Sequence, residues 1–261
     1  RIRADRMKNK GFKDAAQQNP TRPAVLIDTN APELRSDGVD YPLSKLPFVP
    51  TGKENRVRRC MEIFHMQVAG LKQRLAILGS AKAVVGISGG LDSTLALLVA
   101  SEAMKLLELP ARNILCITMP GFGTTDRTYQ NALELVASLG AELREIDIRP
   151  ACIQHMKDIG HDAAIHDITY ENTQARERTQ ILMDLANKEA GILVGTGDLS
   201  ELAMGWCTYN GDHMSMYGVN ASVPKTLVRY LVDYVASRSN QRTAAVLREV
   251  PVSYTHLTLP T

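Results

Sequence analysis

The sequence has no excess of charge of either sign: 30 Lys and Arg against 28 Asp and Glu leave a net +2. That balance gives no general electrostatic basis for holding nucleic acid, so any polyanion site must be local. Cysteine is sparse and scattered: Cys60, Cys116, Cys152 and Cys207 have neither zinc-ligand spacing nor the density of a disulfide scaffold. This predicts reduced thiols in a cytoplasmic protein. No apolar run reaches the length of a membrane span and the N-terminus has no signal-peptide core, so the chain reads as soluble, with no membrane partner. A Walker loop is absent, and the dinucleotide fingerprint fails because Gly195-Thr196-Gly197 is followed by Ser200 where a third glycine belongs. His161-Asp162 and His166-Asp167 lie in a polar connector with no third partner in sequence, and read as surface residues.

The apolar content of 44% supports a real core. The chain is organised around Ala83 to Ser93, an apolar strand that breaks into Gly86-Ile87-Ser88-Gly89-Gly90-Leu91-Asp92-Ser93 and enters a helix predicted over Thr94 to Leu109. This is a phosphate site in outline. Two adjacent glycines leave no Cβ between a ligand and the backbone amides, and the helix behind directs free N–H groups and its positive dipole end there. Ser88 and Ser93 add hydroxyls, and Asp92 is placed to hold Mg²⁺ against phosphate oxygens. The loop resembles the pyrophosphate loop of the ATP pyrophosphatases.

Residues 1–53 contain six of the twelve prolines and read as an extended connector, with apolar patches at Ala24–Ile27 and Leu46–Val49 that pack on a neighbour. The start at Arg1 in a polar segment reads as a piece of something longer. From Glu54 a heptad seam of Val57, Met61, Phe64, Val68, Leu71, Leu75 and Leu78 predicts a helix packed on its own domain or on another subunit; spacing does not choose. Further strands follow at Asn113–Met119, Leu143–Ile148 and Gly191–Thr196, with helices over Asp126–Leu139, Glu171–Ala190 and from Pro224 to Ala236. This alternation predicts an α/β fold with a doubly wound parallel sheet and ligands at the strands' carboxyl ends. Gly121 and Gly123, after the second strand, mark a mobile flap or a tight turn. After the fourth strand, Asp198 and Glu201 have the spacing of a capping box; Glu201 is equally placed to be a second Mg²⁺ carboxylate facing Asp92. Residues 206–221 hold the single Trp beside two Tyr, two Asn and an Asp, a loop suited to stacking on a heterocycle and bonding ribose, or a plain polar loop over an aromatic core residue.

Gly86 to Ser93, Met119 to Arg127, Tyr170-Glu171-Asn172-Thr173-Gln174-Ala175-Arg176 and above all Gly195 to Tyr230 resemble the synthetase domain of glutamine-dependent NAD⁺ synthetases, over about residues 20–250. The resemblance implies ATP-dependent amidation of deamido-NAD⁺ through an adenylate, with release of AMP and pyrophosphate, in a cytoplasmic homo-oligomeric ligase. It places ATP on Gly86, Ile87, Ser88, Gly89, Gly90, Leu91, Asp92, Ser93, Met119 and Thr196, and Mg²⁺ on Asp92 and Glu201. It places deamido-NAD⁺ on Asn172, Glu201, Trp206, Cys207, Thr208 and Tyr209. Arg176 and Arg178 are phosphate ligands or partners in helix-surface salt bridges. No side chain stands out as a general base for ammonia.

The resemblance further implies an N-terminal glutaminase domain as ammonia source, residues 1–53 as the connector that follows it, and 54–250 as the synthetase domain. The family's ammonia-only branch has lysine where Tyr209 stands, which favours the glutamine-dependent branch. Residues 251–261 leave the family pattern and read as a non-native tail. Two alternatives stand beside this reading: another ATP pyrophosphatase such as a GMP synthetase, which should lack the Trp206–Asn220 pattern, and a non-catalytic fragment that binds nucleotide and assembles through the Val57–Leu78 seam.

Overall fold

The computed structural model describes residues 14, 44, 46–79, 82–122 and 126–250. The chain divides into the units Arg1–Ser44 and Lys45–Thr261, and the described residues fall almost entirely in the second. Most of the expected connector, Gly123 of the expected flap or turn, and the tail 251–261 lie outside them. Of the apolar patch at 46–49, Val49 is buried while Leu46 and Phe48 are exposed.

Apolar strands without polar alternation must be covered on both faces, and the sheet is built that way. Strands β1 (Ala83–Gly86), β2 (Ile114–Thr118), β3 (Glu142–Glu145), β4 (Ile192–Gly195) and β5 (Tyr217–Gly218) are all parallel, in the order β3-β2-β1-β4-β5. Successive residues point to opposite faces. Ala83 and Val85 enter a large core with helices α1 (Lys53–Leu78), α2 (Leu91–Leu106) and α7 (Lys225–Arg238), whereas Val84, Leu115, Ile117 and Leu193 meet α5 (Ile168–Lys188) on the other face. The edge strand β3 alternates half-buried and exposed. From β1 the chain winds outward to β2 and β3, then returns to the other side for β4 and β5. The crevice at the carboxyl ends of β1 and β4 is therefore the topological switch point.

Helix α2 is buried on nearly every side, between the sheet and α1 and α7, which is why it lacks a polar stripe. It begins at Leu91, three residues before the expected Thr94, because Gly90 in an extended conformation serves as its N-cap. Along α1, Phe64, Val68, Leu71 and Leu75 of the seam are buried together with Cys60, whereas Val57, Met61 and Leu78 are exposed. The middle of the seam thus packs on the helix's own unit, against α2 and α7. Helix α3 (Asp126–Leu139) matches its expected span. Helices α4 (Arg149–Asp158) and α8 (Gln241–Glu249), and the two-residue β5, have no counterpart in the sequence reading. Pro224 caps α7 rather than opening it. No described helix is long and apolar enough to cross a membrane. All four cysteines are free, and three of them are buried.

Candidate active site

The Ser-Gly-Gly turn is closed by its own hydroxyls. Ser93 Oγ donates to Gly90 O at 3.1 Å and lies 3.2 Å from Ser88 Oγ, and Ser88 Oγ accepts from Gly90 N at 3.3 Å. Ser93 therefore shapes the loop as well as lining the cavity above it. Gly89 has φ 78°, and a Cβ there would lie 2.0 Å from the carbonyl oxygen of Thr128. Its glycine is required by the chain's own packing on α3, while a Cβ at Gly90 would meet nothing nearer than Ser88 Oγ at 3.3 Å. The first turn of α2 has no side-chain cap, which leaves its N–H groups for a ligand.

Above the loop is a cavity of about 690 Å³, lined by Gly86, Ile87, Ser88 and Ser93, by Met119 after β2, by Thr196 after β4, and by Tyr170, Gln174 and Arg178 of α5. Gly89, Gly90, Leu91 and Asp92 do not line it; the Leu91 side chain is in the core, so that residue has only its backbone to offer. Arg178 makes no ion pair with a described residue, and burial lowers its pKa. Arg176 likewise has no described ion pair and donates instead to the carbonyl of Tyr209 at 3.2 Å. The expected surface salt bridges are thus not found for either arginine among the described residues. His166 lines the cavity with its ring stacked 4.3 Å from Tyr170. His166 is nevertheless exposed, as a surface residue should be, whereas His161 is half-buried and its Nε2 lies 2.9 Å from Asp167 Oδ1, the oxygen that caps α5.

Beside the loop, one oxygen each of Asp92, Asp198 and Glu201 gather within 4.8 Å of one another. Lys225 Nζ lies 2.7 Å from all three carboxylates. The capping box is present: Asp198 Oδ1 accepts from Glu201 N at 3.0 Å and Glu201 Oε2 from Asp198 N at 3.1 Å. The capping role of Glu201 is thus present, and its other oxygen, Oε1, is left to face Lys225 on the side of Asp92. Burial raises the Asp92 carboxyl, against the pull of Lys225, to about 6. Burial alone would lower the Lys225 ammonium, but the charge of Asp92 and the bonds to the three carboxylates hold it above the ordinary lysine range. The donor set fits a divalent magnesium ion. Three carboxylates and one ammonium leave a surplus of negative charge, and Asp92 Oδ1 is buried with no hydrogen-bond partner. Lys225 escaped the sequence reading, although a cation at a helix N-terminus opposes the dipole and so signals facing anions.

The loop after α6 (Leu199–Met204) is tied to α5. Thr208 Oγ1 donates to Asn172 Oδ1 at 2.8 Å, and Thr208 N donates to Asp212 at 2.7 Å. The structure thus brings together Asn172, Thr208 and the backbone of Tyr209. Tyr209 is 82% exposed and Trp206 42% exposed, so these two aromatics face outward, whereas Tyr217 of the same stretch packs against the large core. Asn172, Trp206, Cys207, Thr208 and Tyr209 stand outside the cavity wall, joined to it through Asp212 and Met214, which line it.

The NAD synthase family model matches residues 63–250. A glutamine-dependent NAD(+) synthetase of Mycobacterium leprae is 47% identical over 213 residues, 80% of this chain and 31% of that protein. The chain therefore spans about a third of the length of the curated relatives it matches. The structure of glutamine-dependent NAD+ synthetase from Acinetobacter baumannii in complex with ADP has a TM-score of 0.67 at 28% identity, covering 76% of this chain and 37% of that one. An NH3-dependent NAD synthetase from Campylobacter jejuni, at 20% identity and TM-score 0.60, covers 77% of this chain and 97% of its own; this likeness is one of fold alone.

Proposed function

The chain belongs to the NAD synthase family, and on that premise we propose that it carries out ATP-dependent amidation of deamido-NAD⁺. The nicotinate carboxylate attacks the α-phosphate of ATP to give an adenylate and pyrophosphate, and ammonia then displaces AMP to leave the amide. The observation that carries this reading is the juxtaposition of an uncapped phosphate loop with three carboxylates and Lys225 at the switch point of the sheet.

The backbone of Gly86 to Ser93 and the Ser88 hydroxyl hold the phosphates of ATP; Met119 and Thr196, at the ends of β2 and β4, hold its nucleoside side. Lys225 stays an ammonium and places positive charge where the pyrophosphate departs. Asp92 and Glu201 hold magnesium, which when bound supplies counter-charge to the phosphates. Asn172, Glu201, Trp206, Cys207, Thr208 and Tyr209 form the deamido-NAD⁺ side, with Thr208 oriented by Asn172. The nitrogen donor assigned to this chain is ammonia. Glutamine is the donor named for the relatives, and a glutaminase domain, as part of a longer protein, would hydrolyse it to glutamate and supply the ammonia. We place the enzyme in the cytoplasm. Self-association through α1 keeps support only from the exposed ends of its seam, Val57, Met61 and Leu78; a monomer by light scattering removes it.

The test is incubation with MgATP, deamido-NAD⁺ and either ammonium or glutamine, followed by quantification of AMP, pyrophosphate and NAD⁺. NAD⁺ formed with ammonium, with one AMP and one pyrophosphate for each, is the expected result. Absence of both pyrophosphate and NAD⁺ with either donor overturns the reading.

A further inference from the structure

Asn220 has no contact with the cavity and no charge, yet it is fully buried at the junction of the two strands that carry the site. Its Nδ2 donates to the carbonyl of Asp92 at 2.9 Å and to the carbonyl of Thr196 at 3.0 Å. Its Oδ1 accepts from Gln67 Nε2 at 3.0 Å, and the same Gln67 nitrogen donates to the carbonyl of Val219 at 2.8 Å. One carboxamide thus joins the first turn of α2, the end of β4 and the middle of α1, and it reaches α2 and α1 across 128 and 153 residues of sequence.

The chemistry of the position admits few side chains. Two carbonyl oxygens aimed at one buried point need two N–H donors, which a carboxylate lacks and a single hydroxyl cannot supply. The orientation of the amide follows from its neighbours. With Oδ1 and Nδ2 exchanged, an oxygen would face two carbonyls and an NH₂ would face the NH₂ of Gln67, so Gln67 fixes which way Asn220 points. The two carbonyls belong to the segments that bear the carboxylates: Asp92 itself on one side, and on the other Thr196, two residues before Asp198 and five before Glu201. Their separation is what brings the three carboxylates within 4.8 Å.

We propose that Asn220 is a positioning residue for the carboxylate cluster: oriented by Gln67, it fixes the distance between the Asp92 side and the Glu201 side at which a divalent cation is held. The proposal rests on the assignment of that cluster to magnesium under the proposed function. Partners that orient metal ligands typically cost about 10- to 100-fold in metal affinity when removed.

The test compares the unaltered chain, Asn220→Leu, Gln67→Leu and the double variant. Mn²⁺ binding is followed by loss of the free-ion EPR signal in the presence of a non-hydrolysable ATP analogue, with ammonium-dependent kcat and KM for ATP measured alongside. The expected result for N220L is Mn²⁺ affinity weakened by about 10-fold or more and a fall in kcat that exceeds any change in KM. Q67L should change both in the same direction by less, and the double variant should be no worse than N220L, since both residues act through one amide. Folded N220L that binds Mn²⁺ as the unaltered chain does overturns the proposal, whatever its melting temperature. If N220L does not fold, unchanged Mn²⁺ affinity in folded Q67L overturns it. An unaltered chain that binds Mn²⁺ and nucleotide but makes neither pyrophosphate nor NAD⁺ sinks the proposed reaction instead, and the binding comparison still decides the role of Asn220.

Discussion

A buried carboxylate beside a lysine is ordinarily read as an ion pair with a depressed pKa, and Asp92 departs from that expectation. Its burial, with Glu201 and Asp198 adding like charge, outweighs the pull of Lys225 and raises it from 3.8 to about 6. Between those values the folded chain keeps a proton that the unfolded chain has lost. The stability this carboxyl contributes is therefore full below the unfolded value and is lost as pH rises through about 6. Asparagine at this position has no proton to lose. In chelator, Asp92→Asn should gain on the unaltered chain between about pH 4 and about pH 7, by at most roughly 3 kcal/mol, and then level off. Urea unfolding at several pH values measures it, and a difference independent of pH would refute the assignment. At this scale the sequence is legible where a residue follows a strand and a turn: Asp92 and Glu201 are both found that way. Lys225 and Asn220 are not, because Pro-Lys reads as an ordinary helix start and no local pattern separates a buried amide from an exposed one.

Among the elements, α6 is the one in which structure and chemistry draw on the same side chain. Glu201 uses Oε2 for the cap and Oε1 for Lys225, so the two roles can be separated by removing the charge and keeping the acceptor. Glu201→Gln retains an oxygen for Asp198 N–H and should change stability by no more than about 1 kcal/mol. It should nevertheless weaken Mn²⁺ binding by about 10-fold or more, because a ligand charge is lost. Chemical denaturation and EPR titration of the same sample make the comparison. Equal loss in both would mean that Glu201 serves the fold alone. The elements that the sequence conceals have separate causes. Helix α4 opens on Arg149-Pro150, a start signal inside what otherwise reads as a connector, and α8 is announced only by its cap, Asn240, whose side chain accepts from Thr243 N at 2.9 Å. Two residues of β5 are too few to carry a period. The role of the Trp206 loop is not legible in sequence, because composition does not tell an aromatic that covers a core, as Tyr217 does, from one that faces outward, as Tyr209 does.

For the molecule as a whole, the parallel order and the switch point follow from strand and helix alternation, which is why the place of the site is legible before its contents. Charge is legible only in total: a chain of net +2 gives no hint that its phosphate loop borders a surplus of negative charge. That surplus has a consequence for the order in which ligands stabilise the fold. A nucleotide brings its own phosphate charge to the cluster, so without a divalent cation the carboxylates repel it, and Lys225, engaged 2.7 Å from each of them, is not free to compensate. A cation alone gains the carboxylates but must compete with Lys225 for them. With both present, the carboxylates would hold the cation, the cation would supply counter-charge to the phosphates, and Lys225 would be released to turn to them. Binding of each should then strengthen the other by the same factor. A ligand at about 100 times its Kd stabilises a fold by about 2.7 kcal/mol. Cation and non-hydrolysable ATP analogue together should therefore raise the melting temperature by more than the sum of their separate shifts, and the excess should vanish in D92N. Shifts that simply add in the unaltered chain would mean that the carboxylate cluster and the phosphate loop, although adjacent in the fold, bind their ligands independently.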